Sequence, residues 1–338
     1  MSGLIGCPIK DDRRSAAGLL RDRKGPRMPA MLGRLVERAH AASVAGYPVS
    51  GASRSIGMAR VSVITPAFAA AEYLPRAVAS VLAQGFGDWE MLIVSDDGED
   101  YRACLARHGL MDDRLRFLAS PVYGSGPHVA RNMGLAAARG EFIAPLDADD
   151  VYYPERLARL VALAVDHGMA GDNLHVVEAR GGRRLQTVFL RDPKVQSLRL
   201  EDFCRCSVPL LFVFHRSVIG AGWDEDVGFG EDTLFNLRAL EQAGQAVIDA
   251  EPLHEYRVHP ASICHGPDAV ARAEVAYRYC LQRLREDGLG FRTPPFRAAV
   301  TALLHRKRVL NRAYRRALQR GFAGSFQHYL VTHQGIET

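Results

Sequence analysis

The residues from Gly140 to Asp150, GEFIAPLDADD, combine two demands that few folds meet at once. Phe142, Ile143, Ala144 and Leu146 read as a short strand over Glu141 to Leu146 that is built for burial. Asp147, Asp149 and Asp150 then follow as three clustered carboxylates. Carboxylates are not buried together without a counter-charge. The run therefore predicts a strand whose carboxyl end opens toward a ligand, as strands do in open α/β sheets. There the Asp-x-Asp pair, Asp147 and Asp149, offers hard oxygens to Mg²⁺ or Mn²⁺, and such a cation neutralises a diphosphate. An acidic turn capping a helix that starts near Pro154 accounts for the same residues. The flanking sequence decides between the two.

Upstream, strands and helices alternate. Val61 to Thr65 is a β-rich run followed by the turn Pro66-Ala67-Phe68. A helix over 71–84 places Leu74, Val78, Val81 and Leu82 on one face. Trp89 to Val94 is a second buried strand, and it ends at Ser95-Asp96-Asp97-Gly98. A helix near 101–108, a short strand over 114–118, a Gly-rich loop at 123–127 and a helix over 128–138 complete the run. This alternation predicts an α/β fold with a mostly parallel central sheet flanked by helices. Two strands ending in acidic clusters at one sheet edge suit a nucleotide site. Downstream the pattern changes. We expect a helix over 154–166, a hairpin (173–178 with 184–190) turning at Arg180-Gly181-Gly182, and an apolar strand over 209–214. A helix over 233–243 and two short strands, 246–249 and 254–258, follow.

With 338 residues, 48% of them hydrophobic, the chain can bury one large core or two modest ones. Its formal charge of +5 is unevenly spread. Residues 1–59 read as a basic, partly flexible extension. Residues 60–265 form the main domain, with a nucleotide-binding half (60–150) and an acceptor-binding half (151–265). Residues 266–338 form a basic helical region, with nine Lys/Arg and no acid between Gly288 and Ile336. Such a helix either packs with a solvated basic face or lies on an anionic membrane surface or against an acidic partner, its charge headed by Arg306, Lys307 and Arg308. No nucleic-acid motif accompanies the charge. Cys204-Arg-Cys206 is too tight a spacing for a zinc ribbon, so we expect reduced thiols. No apolar run approaches the roughly 20 residues of a membrane span, and the expected location is cytoplasmic.

The segments Val61-Ser-Val-Ile-Thr-Pro-Ala-Phe68, Ala79-Ser-Val-Leu-Ala-Gln84, Ser95-Asp-Asp-Gly98, Ala130-Arg-Asn-Met-Gly134 and Leu146-Asp-Ala-Asp-Asp150 resemble glycosyltransferase family 2 in order and spacing. The resemblance covers about residues 60 to 262. It implies a GT-A fold, a nucleoside-diphosphate sugar donor (UDP above all), a divalent metal, Mn²⁺ or Mg²⁺, and a hydroxyl acceptor. Carried over by position, it puts Pro66, Ala67, Phe68, Asp96, Asp97, Arg131, Asp147 and Ala148 on the nucleotide. It puts Asp149, Asp147 and His259 on the metal, while Asp150 caps the next helix. Gly230-Glu231-Asp232 resembles the family's Glu-Asp motif, with Asp232 as general base of an inverting transfer and Glu231 beside it. Capping of the following helix explains the same two acids. Tyr256-Arg257-Val-His259-Pro-Ala-Ser262 matches a further segment, in which Arg257 would pair with phosphate. Ala69 and Glu99 depart from the family's usual Asn and Ser.

Two other functions fit parts of this pattern. A sugar nucleotidyltransferase shares a related layout, but it would carry cations directly after its first strand, where this chain has Pro66-Ala-Phe-Ala-Ala-Ala71. A non-catalytic nucleotide-sugar-binding protein would keep the donor residues with Asp232 turned away.

Overall fold

Strands β1 (Val61–Ala67), β2 (Trp89–Ser95), β3 (Leu115–Ala119) and β4 (Phe142–Pro145) are followed by the two-residue β5 (Val151–Tyr152). The second half supplies β6 (Met169–Glu178), β7 (Arg184–Thr187), β8 (Gln196–Ser197), β9 (Phe212–His215) and β10 (Val247–Val258). They join in one sheet ordered β3-β2-β1-β4-β9-β6-β10-β5, with β7 beside β6 and β8 beside β10. This computed structural model describes residues 60–188, 195–198, 200, 202–205, 208, 210–259 and 268–333. The extension expected over 1–59 and the segment Pro260 to Ser262 lie outside them.

β1 is parallel to β2 and β4, and β10 is parallel to β6. β9 runs antiparallel to both β4 and β6, so β6 and β10 point the same way as the first four strands. The carboxyl ends of β1, β2, β4 and β10 therefore open on one edge. The acids at 96–97 and 147–150 follow β2 and β4 at that edge.

Strands buried on both faces need apolar side chains on both, and the layers follow from which residues point where. Val61 and Val63 pack with Leu74, Val78 and Val81 of α1 (Leu74–Leu82) and Leu105 of α2 (Tyr101–Arg107). On the other face Ile64, Leu92 and Ile143 meet α3 (Pro127–Ala137) through Leu135. α3 can approach only because Gly134 has no side chain. A Cβ there would sit 2.5 Å from Ile64 Cγ2. Gly140 is equally constrained, its Cβ position lying 2.5 Å from Ser62 N. α4 (Arg156–His167) lies on the first face, with Leu157, Leu160 and Val161 buried. Each fully buried aliphatic side chain of this kind contributes about 1.5–3 kcal/mol.

The second core lies under β6 and β9 and gathers Phe212, Phe214, Trp223 and Phe235, the last two stacked at 3.9 Å. After the short α5 (Asp202–Arg205) come α6 (Glu231–Ala243), α7 (Ala269–Glu286), α8 (Pro294–Gln319) and α9 (Phe326–His333). Cys280 and Leu284 of α7 and Val300, Leu303 and Leu304 of α8 belong to this same core. No helix among the described residues is long and apolar enough to cross a membrane.

The structure revises three local expectations. Asp150 does not cap α4. It is 1% exposed and accepts the backbone N–H of Arg257 at 2.8 Å, locking the turn after β4 against β10. The two short strands expected over 246–258 are one strand, with register shifts around Pro252 where the missing N–H breaks the ladder. Arg257 is not free for phosphate. Its guanidinium bonds Glu255 and the carbonyl of Ala179.

Candidate active site

At the end of β1, Phe68 stands 51% exposed, edge-on to Tyr123 with ring centroids 5.5 Å apart. An aromatic face left open at the carboxyl edge offers a stacking surface. Asp96, at the end of β2, is buried and shapes the loop beneath that surface. Its Oδ1 accepts Ser125 N–H at 3.0 Å and its Oδ2 accepts Gly126 N–H at 2.9 Å. Gly126 has φ 103°, a left-handed conformation that suits glycine, and it leads into α3. Asp97 accepts from Ala69 N–H (2.6 Å), Tyr101 Oη (2.8 Å) and Glu99 N–H (3.1 Å). Burial works against its charge, but these donors outweigh it and hold the carboxyl below the usual range. Ala69, one of the two departures from the family pattern, has φ 49° and is pinned by this bond.

The centre of the site is Arg131, on α3 and only 5% exposed. One of its terminal nitrogens donates to Asp147 at 2.6 Å, and the other to Glu231 at 3.2 Å. This ion pair joins the first half of the sheet to the second half of the chain, since Asp147 follows β4 and Glu231 opens α6. Burial alone would weaken the guanidinium's hold on its proton, but Asp147 and Glu231 reverse that and keep it charged. The next residue, Asn132, fixes the loop before α6 by donating to Trp223 O (2.9 Å) and accepting from Trp223 N–H (2.8 Å). The five residues Ala130 to Gly134 thus supply a buried Ala, a charge bridge, a loop clamp and a close-packing glycine.

Asp232 does not act as an N-cap. Gly230 occupies that position with φ 77°, and Asp232 accepts only from the adjacent Thr233 N–H at 2.7 Å. Burial, then the neighbouring Glu231, push its carboxyl up to about 6, with Arg131 opposing them. Asp149 lies 2.9 Å from His259 Nε2, and its carboxyl is raised by burial and by Asp147. Asp150 is raised further, by burial and then by Asp149 and Asp147. Ala148 is buried between these acids.

The fit of this group to a divalent cation can be tested from its donors. Asp149 and His259 converge, and like-charge crowding with Asp147 is what a cation would relieve. Among the described residues no three ligating side chains form a closed metal cluster. An open set of one or two carboxylates completed by substrate phosphates is how Mg²⁺-type ions are usually held. The residues fit.

Several participants escaped the sequence reading. Tyr73 stacks on His259 at 4.9 Å and 17°, fixing the ring that faces Asp149. Behind the site, Arg156, Asp172 and His254 form a fully buried cluster, with Asp172 bonded by Arg156 at 2.8 Å and lying 2.8 Å from His254 Nδ1. Arg156 also lies over Tyr152, whose hydroxyl bonds Pro145 O at the root of the Asp-x-Asp turn. No local pattern in the sequence announces either arrangement.

Comparisons with known proteins place the family and the fold. Residues 62–218 match the family model for glycosyl transferase family 2. The succinoglycan biosynthesis protein ExoO of Rhizobium meliloti is 29% identical over 289 residues, covering 79% of this chain and 82% of its own. The putative teichuronic acid biosynthesis glycosyltransferase TuaG of Bacillus subtilis is 36% identical over 207 residues, 60% of this chain and 81% of its own. Among solved structures, S. aureus TarS 1–349 in complex with UDP-GlcNAc superposes with a TM-score of 0.54 at 15% identity, over 76% of this chain and 92% of that one. At that identity the likeness speaks to the GT-A fold alone.

Proposed function

The chain belongs to glycosyltransferase family 2 and is a nucleotide-sugar-dependent glycosyltransferase; from that premise we propose that it is a metal-dependent, inverting enzyme using a UDP-sugar and extending a glycan hydroxyl. The observation that carries this reading is the Arg131 bridge. It faces Asp147 of the donor half and Glu231 of the acceptor half at 2.6 and 3.2 Å, with Asp232 beside it raised to about 6.

In this reading Phe68, with Pro66 beside it, receives the base; Ala67, which the resemblance put on the nucleotide, is fully buried in the core and only shapes the turn. Asp96 and Asp97 act on the base through the loops they hold: Ala69, Ser95, Glu99 and Tyr101 occupy the acceptor positions of Asp97, and Ser125 and Gly126 bond Asp96. Asp149 and His259, with Asp147 and the donor's phosphates, would hold Mn²⁺ or Mg²⁺, which would supply charge stabilisation for the departing diphosphate. Asp147 and Ala148 line the ribose side. Arg131 is the protein's own cation at the diphosphate, because it can exchange a carboxylate for a phosphate oxygen.

Asp232 takes the proton of the acceptor hydroxyl as its oxygen attacks the anomeric carbon. The bond from that carbon to the diphosphate oxygen breaks, and the nucleoside diphosphate leaves with the electron pair. A base of pKa about 6 is ionised at neutral pH yet still basic enough to accept the proton. Glu231 holds Arg131 and through it the distance between base and donor. The names of ExoO and TuaG, each a polysaccharide-biosynthesis protein, support a glycan acceptor. The basic C-terminal helices support an acceptor met at an anionic membrane surface.

The test is a thermal-shift panel of UDP-, GDP-, CDP- and dTDP-sugars with and without Mn²⁺. We expect a metal-dependent shift with the UDP-sugar that Asp149→Ala removes. A folded protein that shifts with none of them would overturn the donor assignment.

A further inference from the structure

A single-sign surface outside the site lies on α8. Arg306, Val309, Arg312, Arg316 and Arg320 recur on the side opposite Val300, Leu303, Leu304 and Leu310, and all five are exposed. Val309 is 63% exposed in the middle of them. Arg306, Arg316 and Arg320 make no ion pair with any described residue. The structure therefore replaces the cluster read from sequence. Lys307 is partly buried, and Arg308 is committed to Glu274 at 2.6 Å.

Acids near this face are already engaged. Glu274 is shared by Arg308 and Arg312, and Asp287 is held by Arg283 at 2.6 Å. Beside the face a cleft of about 480 Å³ runs between α7 and α8, lined by Arg278, Arg285 and His305 and by no acid. Val275, 67% exposed, stands at the same cleft. Exposed apolar side chains set among unpaired arginines are what a headgroup layer can accommodate.

This surface is tied to the acceptor side of the site. Asn311 of α8 donates to Val270 O at 2.9 Å, and Arg272, two residues further along α7, donates to Gly228 O at 3.0 Å. Gly228 belongs to the loop that delivers Glu231 and Asp232.

We propose that the outer face of α8, with the cleft beside it, docks on an anionic phospholipid surface. It deepens the proposed function and rests on it in one respect. The first turns of α7 couple the docked face to the Asp232 loop, so the acceptor glycan is membrane-borne and meets the base at the docked side.

The full chain is sedimented with vesicles of phosphatidylcholine alone or mixed with phosphatidylglycerol. We expect binding to the mixed vesicles only, weakening as salt rises. The triple variant Arg306→Gln, Arg316→Gln, Arg320→Gln should bind about a hundredfold more weakly, roughly fivefold per charge. Its melting temperature and UDP affinity should be unchanged. Equal binding to both vesicles, no binding, or an unaffected triple variant overturns the proposal. So does tighter binding to RNA than to vesicles, or a dimer that Val309→Asp converts to monomer while vesicle binding persists. If UDP fails to bind while the vesicle results hold, the donor assignment falls and the docking face stands.

Discussion

Two acidic clusters look alike in the sequence and are opposites in the structure. Asp96-Asp97 and Asp147 to Asp150 both follow a buried strand and both end at the same sheet edge. The oxygens of the first pair are met by neutral donors, backbone N–H groups of Ala69, Glu99, Ser125 and Gly126, and Asp97 is held below its usual pKa. In the second cluster Asp149 and Asp150 are pushed up, first by burial and then by the charges of the neighbouring carboxylates. One cluster is a scaffold that is complete without a ligand. The other, with Asp232, is short of positive charge. Donor type, not the number of acids, separates them.

The largest expected effect tests the unsatisfied side. Asp232→Asn should lower kcat by about 10²–10⁴-fold, with donor affinity by calorimetry unchanged. In the wild type the rate should climb as pH rises through about 6, because the raised carboxyl must lose its proton to act. A variant retaining full kcat would remove Asp232 from the reaction. Arg131 comes next. Arg131→Met leaves Asp147 and Glu231 facing each other partly buried, and should cost about 3–5 kcal/mol in urea unfolding. Arg131→Lys should recover part of that and shift the pH inflection upward, since Arg131 opposes the rise at Asp232. An inflection unmoved by both variants would mean that the bridge is structural only.

A paired comparison follows at smaller magnitude. Asp97→Asn should lose about 1–3 kcal/mol of stability with or without metal, because an amide cannot accept from Ala69, Ser95, Glu99 and Tyr101 together. Its native pKa is depressed, so its stabilisation is present above about pH 4 and is lost as pH falls below the ordinary aspartate range. Asp149→Asn should leave metal-free stability equal or higher, and should abolish the Mn²⁺-dependent gain with nucleotide. If both variants behaved alike in melting curves, the distinction between the two clusters would be wrong.

The alternation of strands and helices over the first half was legible because each element carries its own period. The strand at 142–145 and the acids after it were legible for the same reason. What could not be read are contacts that the chain closes over long separations. Asp150 looked like a helix cap because its partner, the N–H of Arg257, lies 107 residues away. Pro252 looked like a strand end because a ladder can step around a proline only when a neighbouring strand holds it, as β6 does. The motif at 130–134 marked the site, but it did not say that Arg131 bridges the two halves or that Asn132 grips Trp223. His259 was found by its segment, whereas Tyr73, which fixes its ring, sits in a stretch with no chemical signature.

Glu274 offers the smallest effect and a third kind of carboxylate, one satisfied by cations rather than by N–H groups or a metal. It joins α7 to α8 by accepting from Arg308 at 2.6 Å and Arg312 at 2.7 Å. Burial would raise its pKa, but the two guanidinium groups outweigh that and bring it from 4.5 to about 2. A depressed native pKa means that the stabilisation is complete above the unfolded value and fades as pH falls from 4.5 toward 2. Arg312 is 46% exposed, so solvent screens much of the pair, and the net contribution should be about 1 kcal/mol. Glu274→Gln should therefore melt a few degrees lower at pH 7, with the gap to wild type narrowing as the buffer is taken below pH 4.5. It should also free Arg308 and Arg312 to add to the basic face, so vesicle binding should tighten while stability drops. A variant that loses stability and vesicle binding together would show that this carboxylate shapes the face instead of masking it.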